Sequence, residues 1–447
     1  MRSMASADLD FMGGRGAVAS RAEATGERRL GFDAVCLIVL ALWVVGSRLP
    51  CLNTFDFMGK DGPLYIESMK LDASFSVPMP GNIGYVILGK VAHLFVSNPV
   101  EAFLAVNIAL TIVGAWFAYL FASLWISRPL AAASAFALTC NPMVWWHAGI
   151  VASYPVWLAV LPAVGWFGAR YQHNGKLGDL IGCSAALGLG MILRPDLLFF
   201  GTPLWFGCLL LGRASIKHWL IGIAILAVAC CVWFFGTSWV LGGVGEYLGR
   251  VEAKHEGDKA GFSLFQRGLY EGLARNVVKY GLFLAWGSIL AVPPFVAGLI
   301  YSTRPRHWRA LLIAALWVGP SWAFSFIIFA GNAGLIFPFL PLLYLGAAVG
   351  LRRLAGERPA VVGLVAIGLM GAVQFGAAPL LTQHNQRDVI LNVTFLRYTA
   401  AGINQRYNFN LDDFGVSPAL ADVRRQMRNP EPIPQEPELR DEQIHIR

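Results

Sequence analysis

The sequence is built from apolar runs of about 17–27 residues separated by short polar stretches, and this pattern constrains the fold more than any other feature. An α-helix rises 1.5 Å per residue, so a run of that length matches the roughly 30 Å hydrocarbon core of a bilayer. Charged residues make up 14% of the 447 residues, against about 25% in an ordinary soluble domain. The chain is therefore predicted to be an all-α polytopic membrane protein.

Eleven candidate spans follow from the apolar runs. They are residues 31–49, 81–97, 100–126, 129–147, 149–169, 178–212, 216–241, 280–302, 310–330, 333–351 and 359–381. The predicted division is a flexible N-terminus (1–30), a transmembrane domain (31–381) with external loops 50–80 and 242–279, and a tail (382–447). The tail ends in a Pro-rich charged stretch that favours partial disorder. The first run has no small-residue cleavage site and is expected to be an uncleaved helix.

The basic residues predict the orientation. The formal net charge is +8, and Arg and Lys gather at the ends of apolar runs, as at 304–309 and 352–358. The positive-inside rule places these loops and the N-terminus in the cytoplasm, and loops 50–80 and 242–279 with the tail on the other side. We expect that side to be the periplasmic face of a bacterial inner membrane. Basic residues spread over span ends argue against a nucleic-acid partner.

The run 178–212 does not fit this scheme directly. It is too long for one straight span, and Arg194-Pro195-Asp196 interrupts it. A single broken crossing is favoured and keeps the total at eleven. Two crossings would upset the parity of the loops unless another run, such as 81–97 with its Lys90 and His93, does not cross.

Seven cysteines are scattered through the chain, nearly all within apolar runs, where Cys acts as a small hydrophobe. Neither a CxxC pair nor a Cys/His cluster with metal-ligand spacing occurs in the sequence. We expect no disulfide framework, no metal site and no cofactor.

The first external loop holds the strongest chemical signal. Asp56, Asp61 and Glu67 follow the first span, and Pro63 suits the first turn of a short surface helix carrying Tyr65. A carboxylate at the lipid–water boundary can act as a general base, because partial desolvation raises its pKa. The alternative is that Asp61 only caps this helix and the other acids are solvated.

The loop is followed by Pro-Gly turn chemistry at residues 78–85, which includes Tyr85. This order resembles the GT-C class of integral-membrane glycosyltransferases, which includes protein O-mannosyltransferases and aminoarabinose transferases. In that class an acidic pair in the first external loop precedes a Tyr and an amphipathic helix, as Asp61 and Tyr65 do here. The Pro80-Gly81 and Tyr85 stretch resembles the entrance to the next span in the class.

The resemblance extends over roughly residues 31–241. Residues 141–148 and the Gly-Leu-rich stretch 187–195 are similar to later stretches of the class. Two positions depart from it. Gly62 replaces the second acid of the usual pair, and Ser153 stands near a position where relatives often carry an acid.

The resemblance implies a GT-C-like fold and an inverting glycosyltransferase. Such an enzyme takes a sugar from a polyprenyl-phosphate donor and passes it to a hydroxyl of a lipid, glycan or protein on the external face. Asp61 would be the general base, assisted by Asp56 or Glu67. Some relatives use a divalent metal. The missing second acid also leaves open a member that has lost catalysis.

The leaving phosphate would need cations at the bilayer surface. Candidates in loop 242–279 are Arg250, Lys254 and His255, although a solvated loop of mixed charge is the alternative. Arg194 is costly inside an apolar run, so it is either a functional residue or the partner of Asp196.

Further candidates lie on the predicted spans. His147 follows two Trp residues at a span end and is either an interfacial anchor or a substrate contact. Lys90 is assigned to the donor phosphate, and Tyr65 and Tyr85 to the substrate site. A broken span with an intramembrane Arg also suits the runner-up hypothesis, a transporter or flippase for a lipid-linked or amphipathic solute. A non-catalytic scaffold is the third alternative.

Overall fold

The computed structural model describes residues 26–49, 62–69, 78, 80–303, 308–330 and 333–376. Regular structure in these residues is entirely helical, which confirms the predicted all-α class. The α-helices are α1 (Gly26–Arg48), α2 (Gly62–Glu67), α3 (Ile83–His93), α4 (Pro99–Ala122), α5 (Arg128–Thr139), α6 (Pro142–Ala148), α7 (Pro155–Asn174), α8 (Leu177–Leu193), α9 (Leu197–Leu211), α10 (Ile216–Val240), α11 (Val244–Phe262), α12 (Leu264–Gly268), α13 (Arg275–Ser288), α14 (Val292–Ser302), α15 (Trp308–Ala323), α16 (Leu340–Ala355) and α17 (Glu357–Gly376). Two π-helical segments, π1 (Leu269–Ala274) and π2 (Phe324–Ile328), precede α13 and follow α15.

Five of the described helices are long and apolar enough to cross a membrane. They are Gly31–Arg48, Pro99–Ala122, Ile216–Val240, Trp308–Ile328 and Glu357–Phe375. Shorter apolar helices are Ile83–His93, Leu177–Leu193, Leu197–Leu211 and Val292–Ser302. The chain is thus an integral multi-pass membrane protein, while the count of eleven spans stays a prediction. The predicted tail and the first 25 residues lie outside the described residues.

Helices α8 and α9 form an antiparallel hairpin. Trp205 Nε1 donates to Ser184 Oγ at 2.9 Å, and a Cβ on Gly201 would lie 2.5 Å from the Leu187 side chain. The chain reverses at Arg194, which is extended (φ −153°, ψ 99°) because the residue before a proline is disfavoured in a helix. The structure therefore contradicts the single broken crossing favoured for 178–212. Pro195 lies in the turn between the end of α8 at Leu193 and the start of α9 at Leu197.

Helix α3 runs antiparallel to the first half of α4 only. Tyr85 Oη donates to Asn107 Oδ1 at 2.9 Å, and Gly89 faces the Phe103 ring. Its eleven residues span roughly 16 Å, about half of the hydrocarbon thickness. The second half of α4 packs on other helices, because Trp116 Nε1 donates to the Leu37 carbonyl at 2.8 Å. A non-crossing 81–97 would restore the parity that two crossings in 178–212 would upset.

The bundle has two distinct ends. One, named the Arg194 end, holds the α8–α9 turn, the start of α3, the α6–α7 connection and the last turn of α10, where Thr237 meets Gly81. The opposite end, named the basic end, holds ion pairs. They are Arg128–Asp33 at 3.0 Å, Arg170–Asp179 at 2.9 Å and Arg352–Glu357 at 3.8 Å.

Small residues set the closest helix contact in the bundle. Helices α14 and α16 meet backbone to backbone at Gly298, Gly346 and Gly350. A Cβ on Gly350 would collide with the Pro294 carbonyl, and one on Gly298 with the Gly346 carbonyl. Close approach of this kind drives helix association in lipid, where dispersion contacts replace the hydrophobic effect.

Candidate functional site

Polar residues from four segments meet at the Arg194 end. Arg194 and Asp196 come from the α8–α9 turn, Ser153 from the α6–α7 connection, Tyr65 from α2 and Asn82 from the residue before α3. We name these five residues the Arg194 cluster. They are separated by up to 131 positions in the sequence, so only the fold brings them together.

Arg194 is held rigidly in this cluster. Its Nε donates to Asp196 at 3.1 Å (Oδ1) and 2.9 Å (Oδ2), and its Nη1 donates to Ser153 Oγ at 2.9 Å. The guanidinium stacks between the rings of Tyr154 (4.1 Å) and Trp157 (4.6 Å). The predicted pairing with Asp196 is thus present, and the flat cation is fixed on four sides.

The carboxylate of Asp196 is fixed in turn. Trp157 Nε1 donates to Asp196 Oδ1 at 2.9 Å. Nη2 of Arg194 makes no hydrogen bond within the described chain, and the side chain keeps 11% of its surface exposed. One guanidinium N–H pair therefore remains for a ligand.

Tyr65 docks the short helix α2 onto the cluster. Its side chain is 1% exposed, its hydroxyl donates to Ser153 Oγ at 3.2 Å, and Asn82 Nδ2 donates to the same hydroxyl. Met69, in the turn after this helix, is also buried. The Asn82 Oδ1 is buried without a hydrogen bond in the described chain. This buried acceptor is therefore left without a donor in the described part of the chain.

Tyr85 forms the layer beneath. It is fully buried, with its hydroxyl 3.2 Å from the Ala152 carbonyl and its ring 4.9 Å from that of Tyr65 and 5.1 Å from Phe103. Its position supports Tyr65 and the α6–α7 connection. It contacts the cluster through Tyr65.

His147 is inside the bundle. Its Nδ1 lies 2.8 Å from the Met143 carbonyl, and its ring packs edge-on against Tyr154 (5.3 Å) and Phe337 (4.9 Å). Trp145 and Trp146 are buried as well. The interfacial anchor predicted for this stretch is contradicted, because the seven-residue α6 packs among other helices instead of facing lipid. His147 supports the Tyr154 ring that covers Arg194.

The remaining predicted residues are not members of the cluster or lie outside the described part of the chain. Lys90 is half-buried on α3, where the next residue back, Gly89, faces Phe103. Glu67 is exposed at the end of α2, and Arg250 is exposed on α11. Lys254 and His255 belong to α11, but their side chains lie outside the described part. Asp56 and Asp61 lie outside the described residues, and Asp61 immediately precedes Gly62, the first residue of α2.

Two buried polar features were missed by the sequence analysis. Asn82 lies within the Pro-Gly stretch on which the resemblance rests. The sequence signal for it is an amide side chain placed between Gly81 and Gly84. Arg275 and Lys279, both buried on α13, are the second feature. The signal for these two residues in the sequence is a pair of basic residues four positions apart at the edge of an apolar run. Within the described ranges, no group of three His, Cys, Asp or Glu residues could hold a metal ion.

The chain has the GT-C-like fold of integral-membrane glycosyltransferases. It is similar to crystal structures of ArnT from Cupriavidus metallidurans. With the form bound to undecaprenyl phosphate it shares 19% identity over 90% of this chain and 75% of that chain, with a TM-score of 0.56. With the apo form it shares 18% identity over 91% and 73%, with a TM-score of 0.57.

An oligosaccharyltransferase from Archaeoglobus fulgidus, tethered to an acceptor peptide, also matches at 10% identity. The match covers 79% of this chain and 57% of that one, with a TM-score of 0.46. Neither a protein-family model nor a curated protein matches the sequence.

Proposed function

We propose that the protein is a membrane glycosyltransferase that moves a sugar from a polyprenyl-phosphate donor to an acceptor hydroxyl on the external face. The observation that carries the proposal is the Arg194 cluster. It fixes a cation and docks the helix that directly follows Asp61, in a fold similar to that of ArnT bound to undecaprenyl phosphate. The acceptor is a lipid, glycan or protein hydroxyl.

Arg194 supplies the charge that the leaving phosphate needs. When the bond between the anomeric carbon and the phosphate oxygen breaks, the electron pair and the negative charge go to the phosphate. A cation already fixed by Asp196, Ser153 and two aromatic rings stabilises this charge without reorganising. Nη2 is the donor that remains for the phosphate oxygen.

Asp61 is the proposed general base. It takes the proton from the acceptor hydroxyl as the acceptor oxygen forms its bond to the anomeric carbon, with inversion. Asp61 is joined directly to α2, which Tyr65 and Asn82 hold against the cluster. Ser153 stands near the position where relatives often carry an acid, and here it links Tyr65 to Arg194. Catalysis therefore rests on one carboxylate with Asp56 or Glu67 in support.

Donor binding beyond the cluster is assigned to the neighbouring surface. Tyr85 packs against the ring of Tyr65, and His147 packs against the ring of Tyr154 that covers Arg194. Lys90, Arg250, Lys254 and His255 are the proposed outer contacts for the phosphate or the acceptor. No metal or other cofactor is included in this scheme.

The orientation follows from charge. The basic end, with Arg128, Arg170 and Arg352, is cytoplasmic by the positive-inside rule. The Arg194 end then faces the periplasm of a bacterial inner membrane. The broken crossing that favoured a transporter is replaced by the α8–α9 hairpin, so that hypothesis loses the feature on which it was built.

Transfer and donor binding test the proposal together. Protein in nanodiscs is incubated with a panel of polyprenyl-phosphate sugars, and release of polyprenyl phosphate is measured. Asp61→Asn is expected to lower the rate at least 100-fold, the usual contribution of a general base. Glu357→Gln at the basic end is the control. If Asp61→Asn turned over like the unaltered protein, the assigned base would be wrong, and if no donor were bound or cleaved, the glycosyltransferase proposal would be rejected.

A further inference from the structure

Side chains from two distant helices hold the turn that leads into α3. Tyr247 Oη donates to the Pro80 carbonyl at 3.0 Å, and Trp233 Nε1 donates to the Gly81 carbonyl at 3.0 Å. Trp233 lies in the last part of α10, and Tyr247 lies in the first turn of α11. Two consecutive carbonyls just before Asn82 are thus each fixed by a residue 167 or 152 positions later in the chain.

The turn itself requires a glycine. Gly81 has a φ of +104°, a conformation that residues with a side chain rarely adopt. Its amide donates to the Pro78 carbonyl at 2.9 Å, which closes the turn. A Cβ on Gly81 would lie 2.5 Å from the Thr237 side chain, so α10 packs directly on the backbone here. Because glycine has no side chain to pack, the orientation of the turn depends on the contacts that α10 and α11 make with it.

Asn82 carries this orientation into the Arg194 cluster. An Asn directly before a helix ordinarily accepts from the first amides of that helix, but the Asn82 side chain makes no such bond to α3. Its Nδ2 instead donates to the Tyr65 hydroxyl and lies 3.4 Å from Ser153 Oγ. The conformation of the turn therefore determines whether Asn82 reaches Tyr65.

Two glycines bring α11 back to the turn. Gly242 and Gly243, between α10 and α11, have φ angles of +91° and +127°. The Gly243 amide donates to the Ser238 carbonyl at 2.7 Å, so the chain reverses tightly at the end of α10. Side chains are disfavoured at both φ angles, and glycine is the residue that permits this reversal.

Tyr247 is the residue through which α11 contacts the bundle. Among residues 244–253, whose side chains are described, Tyr247 alone is buried, with 3% of its surface exposed. Its ring packs edge-on against Trp233 and Phe234, with centroid distances of 6.3 and 5.5 Å. The aromatic contacts place the Tyr247 hydroxyl where it can donate to Pro80.

We propose that Tyr247 and Trp233 are positioning residues for the transfer reaction and act on the site through Asn82. They orient the turn before α3, and Asn82 then holds α2 beside the Arg194 cluster. The inference rests on the proposed glycosyltransferase function, because α2 directly follows Asp61, the assigned base. The first turn of α11 thereby helps to place the base without contacting the substrate.

Arg194 is held independently of this turn. Asp196 and Ser153 accept its hydrogen bonds, and the rings of Tyr154 and Trp157 cover its guanidinium. Donor binding is therefore expected to persist when the turn loosens, while the placement of the base deteriorates. A fall in kcat with little change in the donor KM separates this role from a role in donor binding.

Steady-state transfer by the full chain in nanodiscs tests the inference. Tyr247→Phe keeps the ring and loses the hydroxyl, and it is expected to lower kcat about three- to tenfold, the factor that one net hydrogen bond represents. The donor KM should stay within about twofold. Trp233→Phe is the second variant and should act in the same direction. Tyr171→Phe removes a bond to His218 at the basic end, so it is the matched control and should retain kcat.

A double-mutant cycle shows whether the effect passes through Asn82. Asn82→Ala alone is expected to lower kcat at least as much as Tyr247→Phe does. In the Asn82→Ala background, Tyr247→Phe should lower kcat by less than about twofold, because the route through which it acts is already broken. A purely structural role of Tyr247 would lower Tm and leave kcat unchanged, or give losses that add to those of Asn82→Ala.

Nitroxide mobility reports the docking of α2 in the absence of any donor. A spin label is attached at Leu64→Cys, an exposed position of α2, in a background without the seven native cysteines. Tyr247→Phe is expected to add a mobile component to the spectrum of this label. A label at Leu369→Cys, an exposed position of α17, is the control and should give the same spectrum in both backgrounds.

Three outcomes separate this proposal from the proposed function. Unchanged kcat in Tyr247→Phe, or full additivity with Asn82→Ala, would overturn the positioning role. If the unaltered protein turned over no donor while Tyr247→Phe still mobilised the label at Leu64→Cys, the glycosyltransferase function would be rejected and the link from α11 to α2 would stand. Absence of both turnover and a change in mobility would overturn both proposals.

Discussion

The Tyr65 hydroxyl lies 3.2 Å from Ser153 Oγ, and Ser153 accepts in turn from Arg194 Nη1 at 2.9 Å. One serine thus joins the helix after the first span to the cation in the α8–α9 turn. Because Asp61 lies four residues before Tyr65, the hydrogen bond couples the proposed base to the proposed phosphate site. The first prediction below breaks the Tyr65 side of this link, and the second removes the counter-charge of Arg194.

Tyr65→Phe is expected to lower the transfer rate at least about tenfold and the free energy of unfolding by roughly 1–3 kcal/mol, since the two hydrogen bonds of the hydroxyl are lost. Turnover is expected to fall even under conditions where the variant stays folded, because α2 is then held less firmly beside Arg194. Donor turnover and Tm are the measurements. Tyr171→Phe removes a similar bond to His218 (2.8 Å) at the basic end and should lower Tm without changing turnover. Equal turnover in both variants would contradict the docking role of Tyr65.

Asp196→Asn is expected to destabilise the protein by about 3 kcal/mol, because it leaves the buried Arg194 without its counter-charge. Unfolding in detergent reports the loss. The comparison is Asp179→Asn, which breaks the Arg170–Asp179 pair. Arg170 is more exposed, so solvent replaces that interaction and the loss should be smaller. A larger loss at Asp179 would show that Arg194 is not the more deeply buried charge.

The hairpin at α8–α9 makes a topological prediction. Lys176 and Arg213 flank the hairpin and are exposed, so both should be reached from the same side of the membrane. Single cysteines at these positions, in a background without the seven native cysteines, are labelled with a membrane-impermeant thiol reagent in sealed, oriented vesicles. Labelling from one side only, for both, is expected. Labelling from opposite sides would restore the single broken crossing.

Gly350→Ala is expected to lower Tm by several degrees, because the new methyl group collides with the Pro294 carbonyl and pushes α14 from α16. Gly319→Ala on α15 is the matched control. A Cβ there meets open space, and alanine favours the helix by up to about 1 kcal/mol. Opposite signs of the two Tm shifts are expected from thermal unfolding of the purified variants. A neutral Gly350→Ala would mean that the helices separate at no cost.

The sequence by itself determined the class and the principal spans. Apolar runs of bilayer length and a low charged fraction leave little choice but a helical membrane protein, because lipid provides no partners for backbone groups. The order of Asp61, Tyr65, the Pro-Gly turn and the Arg194-Pro195 break also identified the resemblance to the GT-C fold. These signals are local in the sequence, so they can be recognised without knowledge of how the helices pack.

The tertiary structure decided how the apolar runs pack and which residues meet. Hydropathy cannot separate a lipid-facing helix from one buried among other helices, since both surroundings are apolar. For that reason α3 was taken for a crossing, the α8–α9 hairpin for one span, and Trp145 to His147 for an interfacial anchor. The Arg194 cluster joins residues 65, 82, 153, 194 and 196. Contacts between residues that distant have no local signature, so the fold alone assembled this cluster.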